Sequence, residues 1–590
     1  MCGIAGWSRP GHLGDDLAQL GAMTAAIAHR GPDDHGAFTC AEEGIAIGHV
    51  RLSIIDLSAG GHQPMASDDG SVVLAFNGEL YNFKELRREL EALGRTFRSR
   101  SDTEVAVNAL AQWGPQALER FDGMFALAAW YAVSRKLLLA RDPLGMKPLY
   151  YTSLSATGGI AFASEIKAFL PLAGFVAELD RNSLSQYLEF GYVFDPTRTS
   201  LAGVAKLPPG HAMEIAAGRG SVPFAYFRPA TNCKDAHPGT RFEDRLYETL
   251  SAVVREHLVA DVPVGLLLSG GLDSSVIAAL AARDTRVSTI SMGFAESTVD
   301  ERDYARIVAG HIGSDHREIL IHSRDVVEDL ENSVWYFDDL FADWGTLSTR
   351  MMYMKCREQG IKVVLVGEGA DELFGGYTIF EAAQQVRGPL PWRLFQLYRR
   401  YAGRRYGSQY GSFAAIMKGY LAQCDEDLFA AVRLFESRNQ LPNNYVMKVD
   451  KASMSVSVEA RAPYLDRRIA ELAYSIPAES LLAEGTNKLV LRRMAEHHGL
   501  LPREITRRPK FGASIAASWM DDSTDFRRYA ADRILSRDGW ADRLGLRGAM
   551  SDFFSRRREG YRFPHAISIF SNLAWRLLLL DLWSKKYLPA

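Results

Sequence analysis

Leu266-Leu267-Leu268-Ser269-Gly270-Gly271-Leu272-Asp273-Ser274-Ser275 runs from an apolar strand through a glycine turn into a helix. Successive small residues expose backbone N–H groups, and the helix N-terminus adds positive potential, so a phosphate fits there. No lysine follows the glycines, which excludes the GxxxxGK[ST] phosphate loop. Asp273 instead places a carboxylate beside the expected phosphates, an oxygen ligand suited to Mg²⁺. A plain glycine turn, with Asp273 and Ser274 capping the helix, is the alternative. A second acidic turn closes another apolar run: Val366-Gly367-Glu368-Gly369-Ala370-Asp371-Glu372, followed by Phe374-Gly375-Gly376-Tyr377. Parallel sheets bind ligands outside the carboxyl ends of their strands, so both loops are expected to face one crevice. Asp273 and Asp371 would then offer oxygens to a metal, with Glu368 as base or positioning group. A solvated acidic turn is the competing reading.

Around these loops, strands are predicted at Val264 to Leu268, Val287 to Met292, Arg317 to Ile321 and Lys362 to Val366. Helices alternate with them: Arg241 to Leu258, one through Ala282, Asp300 to Ile312, and one long helix before Lys362. That alternation predicts a parallel sheet covered by helices. Beyond Pro389 the chain reads as mostly helical. Upstream the grammar differs. Short strands at Gly44 to Gly48, Val72 to Phe76, Met124 to Tyr131, Lys136 to Ala140 and Gly159 to Ala163 mix with three helices, Asp16 to His29, Phe83 to Leu93 and Thr103 to Trp113. This predicts an α+β domain with antiparallel sheet. A linker is placed at residues 205–240, around Leu207-Pro208-Pro209-Gly210 and the loop from Pro229 to Gly239.

A chain of 590 residues is too long for one core. Its 47% apolar and 24% charged content is that of a soluble globular protein. A net charge of -3 gives no electrostatic reason to expect nucleic acid or an anionic membrane as partner, and it leaves a homodimer open. Cys2, Cys40, Cys233, Cys356 and Cys424 lie far apart without a CxxC, which argues against disulfides or zinc and for a reducing, cytoplasmic setting. No signal peptide is expected ahead of Cys2. Leu577 to Leu580, with Asp581-Leu582-Trp583 after them, are too short to span a bilayer and are expected to be the buried face of a terminal helix.

Cys2 follows the initiator in Met-Cys-Gly-Ile-Ala-Gly. Methionine aminopeptidase trims Met before small residues, so the mature chain is expected to begin with this cysteine. One residue then carries a thiol and a terminal amine whose pKa of roughly 8 leaves part of it as free base. Nucleophile and base share one framework, as in N-terminal threonine nucleophiles.

With these residues in view, the chain resembles the glutamine-dependent asparagine synthetases of the bacterial B type. The likeness runs nearly end to end. It covers MCGIAG, His29-Arg30-Gly31-Pro32-Asp33, Arg51-Leu52-Ser53-Ile54, Asn77-Gly78-Glu79-Leu80-Tyr81-Asn82, Ser101-Asp102-Thr103-Glu104 and Arg141-Asp142-Pro143-Leu144-Gly145. It continues through SGGLDSS and GEGADELFGGY to Glu459-Ala460-Arg461-Ala462-Pro463-Tyr464-Leu465-Asp466 and Lys488-Leu489-Val490-Leu491-Arg492. The resemblance implies an α+β N-terminal-nucleophile hydrolase domain, an αββα sandwich, over residues 2–210. An α/β parallel-sheet synthetase domain of the ATP pyrophosphatase type, with a helical C-terminal part, would cover residues 235–590.

By that resemblance Cys2 attacks the side-chain amide of glutamine, and the oxyanion is held by the Asn77 side chain and the Gly78 N–H. Such donors are worth roughly 3 kcal/mol each. Arg51 would bind glutamine's α-carboxylate, and Asp102 with Glu79 its ammonium. Asn77-Gly78 also suits a hairpin turn, and Ser101-x-x-Glu104 a capping box. In the second domain Leu267, Ser269, Gly270, Gly271, Asp273, Ser274, Met292, Gly367 and Glu368 would bind ATP, and Asp273 and Asp371 would bind Mg²⁺. Lys488 would stabilise pyrophosphate and the later tetrahedral intermediate; a solvated helix lysine is its ordinary reading. ATP would adenylate a carboxylate, and ammonia would displace AMP after crossing an interdomain tunnel. L-aspartate is the expected acceptor. Phe337-Asp338-Asp339-Leu340-Phe341-Ala342-Asp343-Trp344, Val366 and Lys510-Phe511-Gly512-Ala513 depart from the usual family pattern. These departures leave a sugar acid or peptide as the alternative acceptor.

Overall fold

The computed structural model describes residues 2–10, 16–154, 158–216, 219–229, 241–295, 301–402, 408–483, 485–508, 524–555 and 569–589. Most of the loop from Pro229 to Gly239, and Lys510 to Ala513, lie outside the described residues.

The N-terminal part stacks two antiparallel sheets. One has the order Val204–Lys206, Tyr150–Ser153, Ile160–Ala163, Gly3–Ser8, Ile45–Arg51, Asp34–Cys40. The other has the order Arg219–Gly220, His211–Ala216, Lys136–Arg141, Gly123–Tyr131, Val72–Leu80, Met65–Ala66, with Phe224–Ala225 also paired to His211–Ala216. Two-residue periodicity builds the layers. Ile4, Ala75, Ala126 and Ala128 point between the sheets, into one core with Ile47, Leu139 and Phe162. Their neighbours Leu74, Phe76, Phe125 and Leu127 point outward, onto Leu86 and Leu90 of the Phe83–Ala92 helix and Val105 and Leu110 of the Asp102–Trp113 helix. On the far side Ala5, Trp7 and Ala46 meet Leu20 and Met23 of the Asp16–Ala26 helix. The order is helix, sheet, sheet, helix. This is the αββα sandwich expected from the resemblance.

The C-terminal part is built on a five-stranded sheet in the order Asp315–Ile321, Ser288–Phe294, Val264–Leu267, Val363–Leu365, Glu459–Arg461, every neighbouring pair parallel. Two readings of the sequence need correction here. The fifth strand falls in the stretch read as helical. It is three wholly buried residues paired Val363↔Glu459 to Leu365↔Arg461, too short to carry a periodic signal. The single long helix before Lys362 is instead Ser323–Glu328, Leu330–Phe337 and Thr346–Glu358. Asp338 breaks it at φ +71°, while its carboxylate accepts the Ile166 and Lys167 N–H groups of the other half.

Those contacts belong to a buried ionic cluster joining the two halves. Arg30 lies 2.7 Å from Glu165 and 3.0 Å from Asp450. Lys147 reaches Asp450 at 3.4 Å, and Lys167 and Lys451 reach Asp338 at 3.2 and 3.0 Å. Charges this deeply buried persist only when paired, so the cluster fixes how the halves dock. The terminal helix Ile569–Tyr587 buries Leu577 to Leu580 and Trp583, as expected. No helix among the described residues is long and apolar enough to cross a membrane.

Candidate active sites

Cys2 leads into the Gly3–Ser8 strand, in the interior of the first sheet, and is 5% exposed. Its backbone is held at both its nitrogen and its carbonyl. The Cys2 N–H donates to Asn77 Oδ1 at 3.0 Å, and its carbonyl accepts from Arg30 Nε at 3.0 Å. Ser164 Oγ accepts the Ile4 N–H at 3.0 Å and lies 3.5 Å from Asn77 Nδ2. Asn77 and Gly78 sit within the nine-residue Val72–Leu80 strand, so the hairpin-turn reading of this pair is wrong. Gly78 is needed for packing: a Cβ there would lie 2.2 Å from the Met124 carbonyl oxygen.

Arg51, at the end of its strand, donates to the carbonyls of Ser58, Ile55 and Asp56 at 3.1, 3.3 and 2.5 Å. It lies against Gly61, where a Cβ would come 1.8 Å from Nη2. Asp102 opens its helix and accepts the Leu80 N–H at 2.9 Å. Ser101 caps that helix through Thr103 N–H, but Glu104 turns away to the N–H groups of Arg98 and Ser99. The reciprocal half of the capping box is therefore missing. Burial pushes the Cys2 thiol up, with the Leu52 N–H and Arg51 pulling the other way. Burial also pushes Asp102 up to about 6. Glu79 is raised well above the carboxylate range, first by burial and then by Glu459. Its partner is Arg461 of the parallel sheet, Nη2 to Oε2 3.3 Å. Ser164 and Arg30 were not singled out for this site. Neither carries a local spacing signal, because each reaches Cys2 or its neighbours only through the sheet.

The second site is a cleft of about 430 Å³ at the carboxyl ends of the parallel strands. Leu267, Ser269, Asp273, Ser274, Gly367, Glu368 and Asp371 line it, so the two loops do face one crevice, and Met292 of the neighbouring strand lines it too. Gly270 and Gly271 shape the turn rather than the wall. Gly270 has φ +71°, and a Cβ there would lie 2.5 Å from Tyr304 Cβ; Gly271 is the N-cap of the Leu272–Ala281 helix. The loops press together: a Cβ on Gly367 would be 2.9 Å from the Ser274 nitrogen. Lys488 joins them, its Nζ 2.5 Å from Asp273 Oδ2 and 2.6 Å from Asp371 Oδ1. Burial alone would lower this ammonium, but the two carboxylates raise it. A lysine that is 4% exposed is not a solvated helix lysine. Since both carboxylates reach one cation, their oxygen donors also fit a shared Mg²⁺. Glu368 is raised, mainly by burial, and Glu372 is pushed up to about 7 by burial and Asp371.

A buried cysteine at the head of an αββα sandwich, docked on a parallel sheet with an acidic cleft at its strand ends, is the frame that two family models match, one an amidotransferase domain and one a synthase. The glutamine amidotransferase domain family matches residues 1–226, and the asparagine synthase family matches residues 245–585. The chain belongs to the asparagine synthase family. Asparagine synthetase [glutamine-hydrolyzing] 1 of Bacillus subtilis strain 168 is 32% identical over 565 residues, 87% of each chain. A putative asparagine synthetase [glutamine-hydrolyzing] of Mycobacterium tuberculosis H37Rv is 34% identical over 580 residues, again 87% of each. Asparagine synthetase [glutamine-hydrolyzing] 3 of B. subtilis is 31% identical over 550 residues, 86% of each.

Proposed function

We propose that this chain is a glutamine-hydrolysing asparagine synthetase that makes asparagine, glutamate, AMP and pyrophosphate from L-aspartate, glutamine and ATP. The observation carrying this reading is Lys488 clamped between Asp273 and Asp371, two carboxylates that line the cleft together with Ser269 and Ser274 of the SGGLDSS turn.

A carboxylate is a poor acyl donor because its oxygen leaves badly. Attack of aspartate's β-carboxylate oxygen on the α-phosphorus of ATP expels pyrophosphate and gives an acyl-adenylate. Ammonia then adds to the acyl carbon and AMP departs. The Ser269–Ser275 turn cradles phosphates, Lys488 neutralises the departing pyrophosphate, and Glu368, raised by burial, takes a proton from the attacking ammonia. Mg²⁺ held by Asp273 and Asp371 would supply charge neutralisation at the phosphates. In the other half, Cys2, freed of Met1, attacks the glutamine amide, with Asn77 and Gly78 at the oxyanion and Arg51, Glu79 and Asp102 around the amino-acid end. The described thiols of Cys2, Cys40 and Cys356 are free, which supports a cytoplasmic setting.

The test is pyrophosphate release with Mg-ATP, glutamine and a panel of carboxylic acids. Aspartate is expected to dominate, with asparagine as product. A chain that releases pyrophosphate for a sugar acid or peptide but not for aspartate sinks the reading.

A further inference from the structure

The phosphate loops account for one end of the cleft. The helical part builds another portion of its wall, which the reaction as derived leaves without a role. Glu436–Tyr445 is a ten-residue π-helical stretch, a rare conformation that recurs at functional sites. It delivers Tyr445 and, three residues into the path of the next helix, Lys448 to the cleft. Tyr445 stacks on Tyr377 with ring centroids 5.6 Å apart, and the Tyr377 hydroxyl donates to Glu372 at 2.7 Å.

Arg302 and Lys448 are the basic residues among those lining this cleft. Arg302 packs against Gly293, next to Met292, and pairs with Glu318 at 3.3 Å. Lys448 has a different setting. Its Nζ lies 3.4 Å from Asp343 Oδ1 and 5.9 Å from the centre of the Tyr445 ring. Asp343 is itself fixed, since the same oxygen accepts the Gly345 N–H at 2.7 Å at the start of the Thr346–Glu358 helix. An ammonium steered by a capped carboxylate and partly covered by an aromatic face is held at one place, ready for a second anion. Glu368, raised by burial, also feels Lys448 as an attraction and Asp273 and Asp371 as repulsions, so this cation is within electrostatic reach of the reacting end.

We infer that Lys448, oriented by Asp343, anchors the α-carboxylate of an amino-acid acceptor whose side-chain carboxylate is adenylated. This rests on the proposed function and deepens it. The acceptor must carry a second carboxylate close to the reacting one. A monocarboxylic sugar acid has no second carboxylate to place on Lys448. Asp343 also lies in the Phe337 to Trp344 segment where the sequence departs from the family pattern, so the departure falls on a residue that positions the anchor.

The experiment uses the full-length enzyme with saturating Mg-ATP and glutamine, reading pyrophosphate while aspartate is varied. Lys448→Met is expected to raise the KM for aspartate about 30- to 100-fold, the loss of one hydrogen bond to a charged group. The KM for ATP should change less than about threefold, and glutaminase turnover should be unchanged. Lys448→Arg, which keeps the charge, is expected to recover the aspartate KM to within about tenfold, and Asp343→Asn to give a smaller rise of about fivefold. An aspartate KM in Lys448→Met within threefold of wild type overturns the inference. So does an equal rise in the KM values for aspartate and ATP, which marks a structural role. Failure of the proposed function looks different, because wild type itself would then release no pyrophosphate with aspartate.

Discussion

Arg461, on the outermost strand of the parallel sheet, places Nη2 3.3 Å from Glu79 Oε2 of the N-terminal sandwich. Glu79 follows Gly78 directly, and Arg461 lies three residues before Tyr464, whose hydroxyl donates to the Asp273 carbonyl at 3.2 Å. One guanidinium thus stands between the two sites. Its Nε is 2.6 Å from Glu459, and Nη1 donates to the His257 and Val259 carbonyls at 2.7 Å each. His257 in turn stacks on Tyr81 of the sandwich at 3.6 Å.

Removing this guanidinium takes from Glu459, the Glu79 carboxyl and two carbonyls the cation they share. Arg461→Met is therefore expected to cost about 3–5 kcal/mol of stability, as buried pairs do when one partner is deleted. Glu79→Gln should cost far less, because burial and Glu459 already hold the Glu79 carboxyl towards its neutral form. Denaturant midpoints of the two variants check this. Equal losses would mean that Glu79 is the charged partner Arg461 depends on.

Cys2→Ala keeps the backbone N–H that Asn77 accepts and the carbonyl that Arg30 reaches. The fold at this position should survive while the nucleophile is lost. Glutamine-dependent asparagine formation is expected to fall at least about a thousandfold, with ammonium-dependent formation within about twofold of wild type. Product analysis with either nitrogen source decides it. Glutamine use persisting in the variant would remove Cys2 from the mechanism.

Asp102 gives a pH prediction with opposite signs for stability and function. Burial raises its folded pKa to about 6, above the unfolded value near 3.9. Below pH 4 both states are protonated and nothing is lost. Between pH 4 and 6 the unfolded state ionises first, so stability falls as pH rises, by roughly 3 kcal/mol in all. Asp102→Asn escapes that loss, so its stability relative to wild type should improve from pH 4 to pH 7. As the proposed partner of glutamine's ammonium, Asp102 must be ionised to work. The wild-type KM for glutamine should therefore drop as pH rises through about 6, while the Asn variant stays high and flat. A pH-independent wild-type KM across that range contradicts the assignment.

Much of this was legible because it is local. The Ser269–Ser275 turn and the Gly367–Asp371 turn each announce themselves by glycines and acids at strand ends, and both line the cleft. Alternation along Leu74, Ala75 and Phe76 predicts a strand, and the layers follow once neighbouring strands are paired. Contacts between distant segments carry no such mark. Arg30 and Asp450 meet 420 residues apart, and nothing near either one points to the other. Glu459–Arg461 is too short for a period, and the break at Asp338 is set by N–H groups of Ile166 and Lys167 that no helix pattern contains. The capping box at Ser101 failed for the same reason in miniature: Glu104 accepts the Arg98 and Ser99 N–H groups, and Ser99 Oγ takes the Ser101 N–H.

Lys488 supplies the last prediction. It sits at φ +52°, a left-handed conformation that costs Lys and Met, both unbranched at Cβ, alike, so Lys488→Met preserves length and backbone demand. What it deletes is the cation between Asp273 and Asp371. Pyrophosphate formation is expected to fall at least about a hundredfold, since a buried charge stabilising a departing polyanion is worth several kcal/mol. The two carboxylates would then face each other with no ammonium between them, and Mg²⁺ would relieve their repulsion. Mg²⁺ should accordingly raise the Tm of Lys488→Met more than that of wild type, where the ammonium already occupies the gap. A smaller Mg²⁺ shift in the variant would mean that lysine and metal occupy separate places, and that Asp273 and Asp371 do not share one ion.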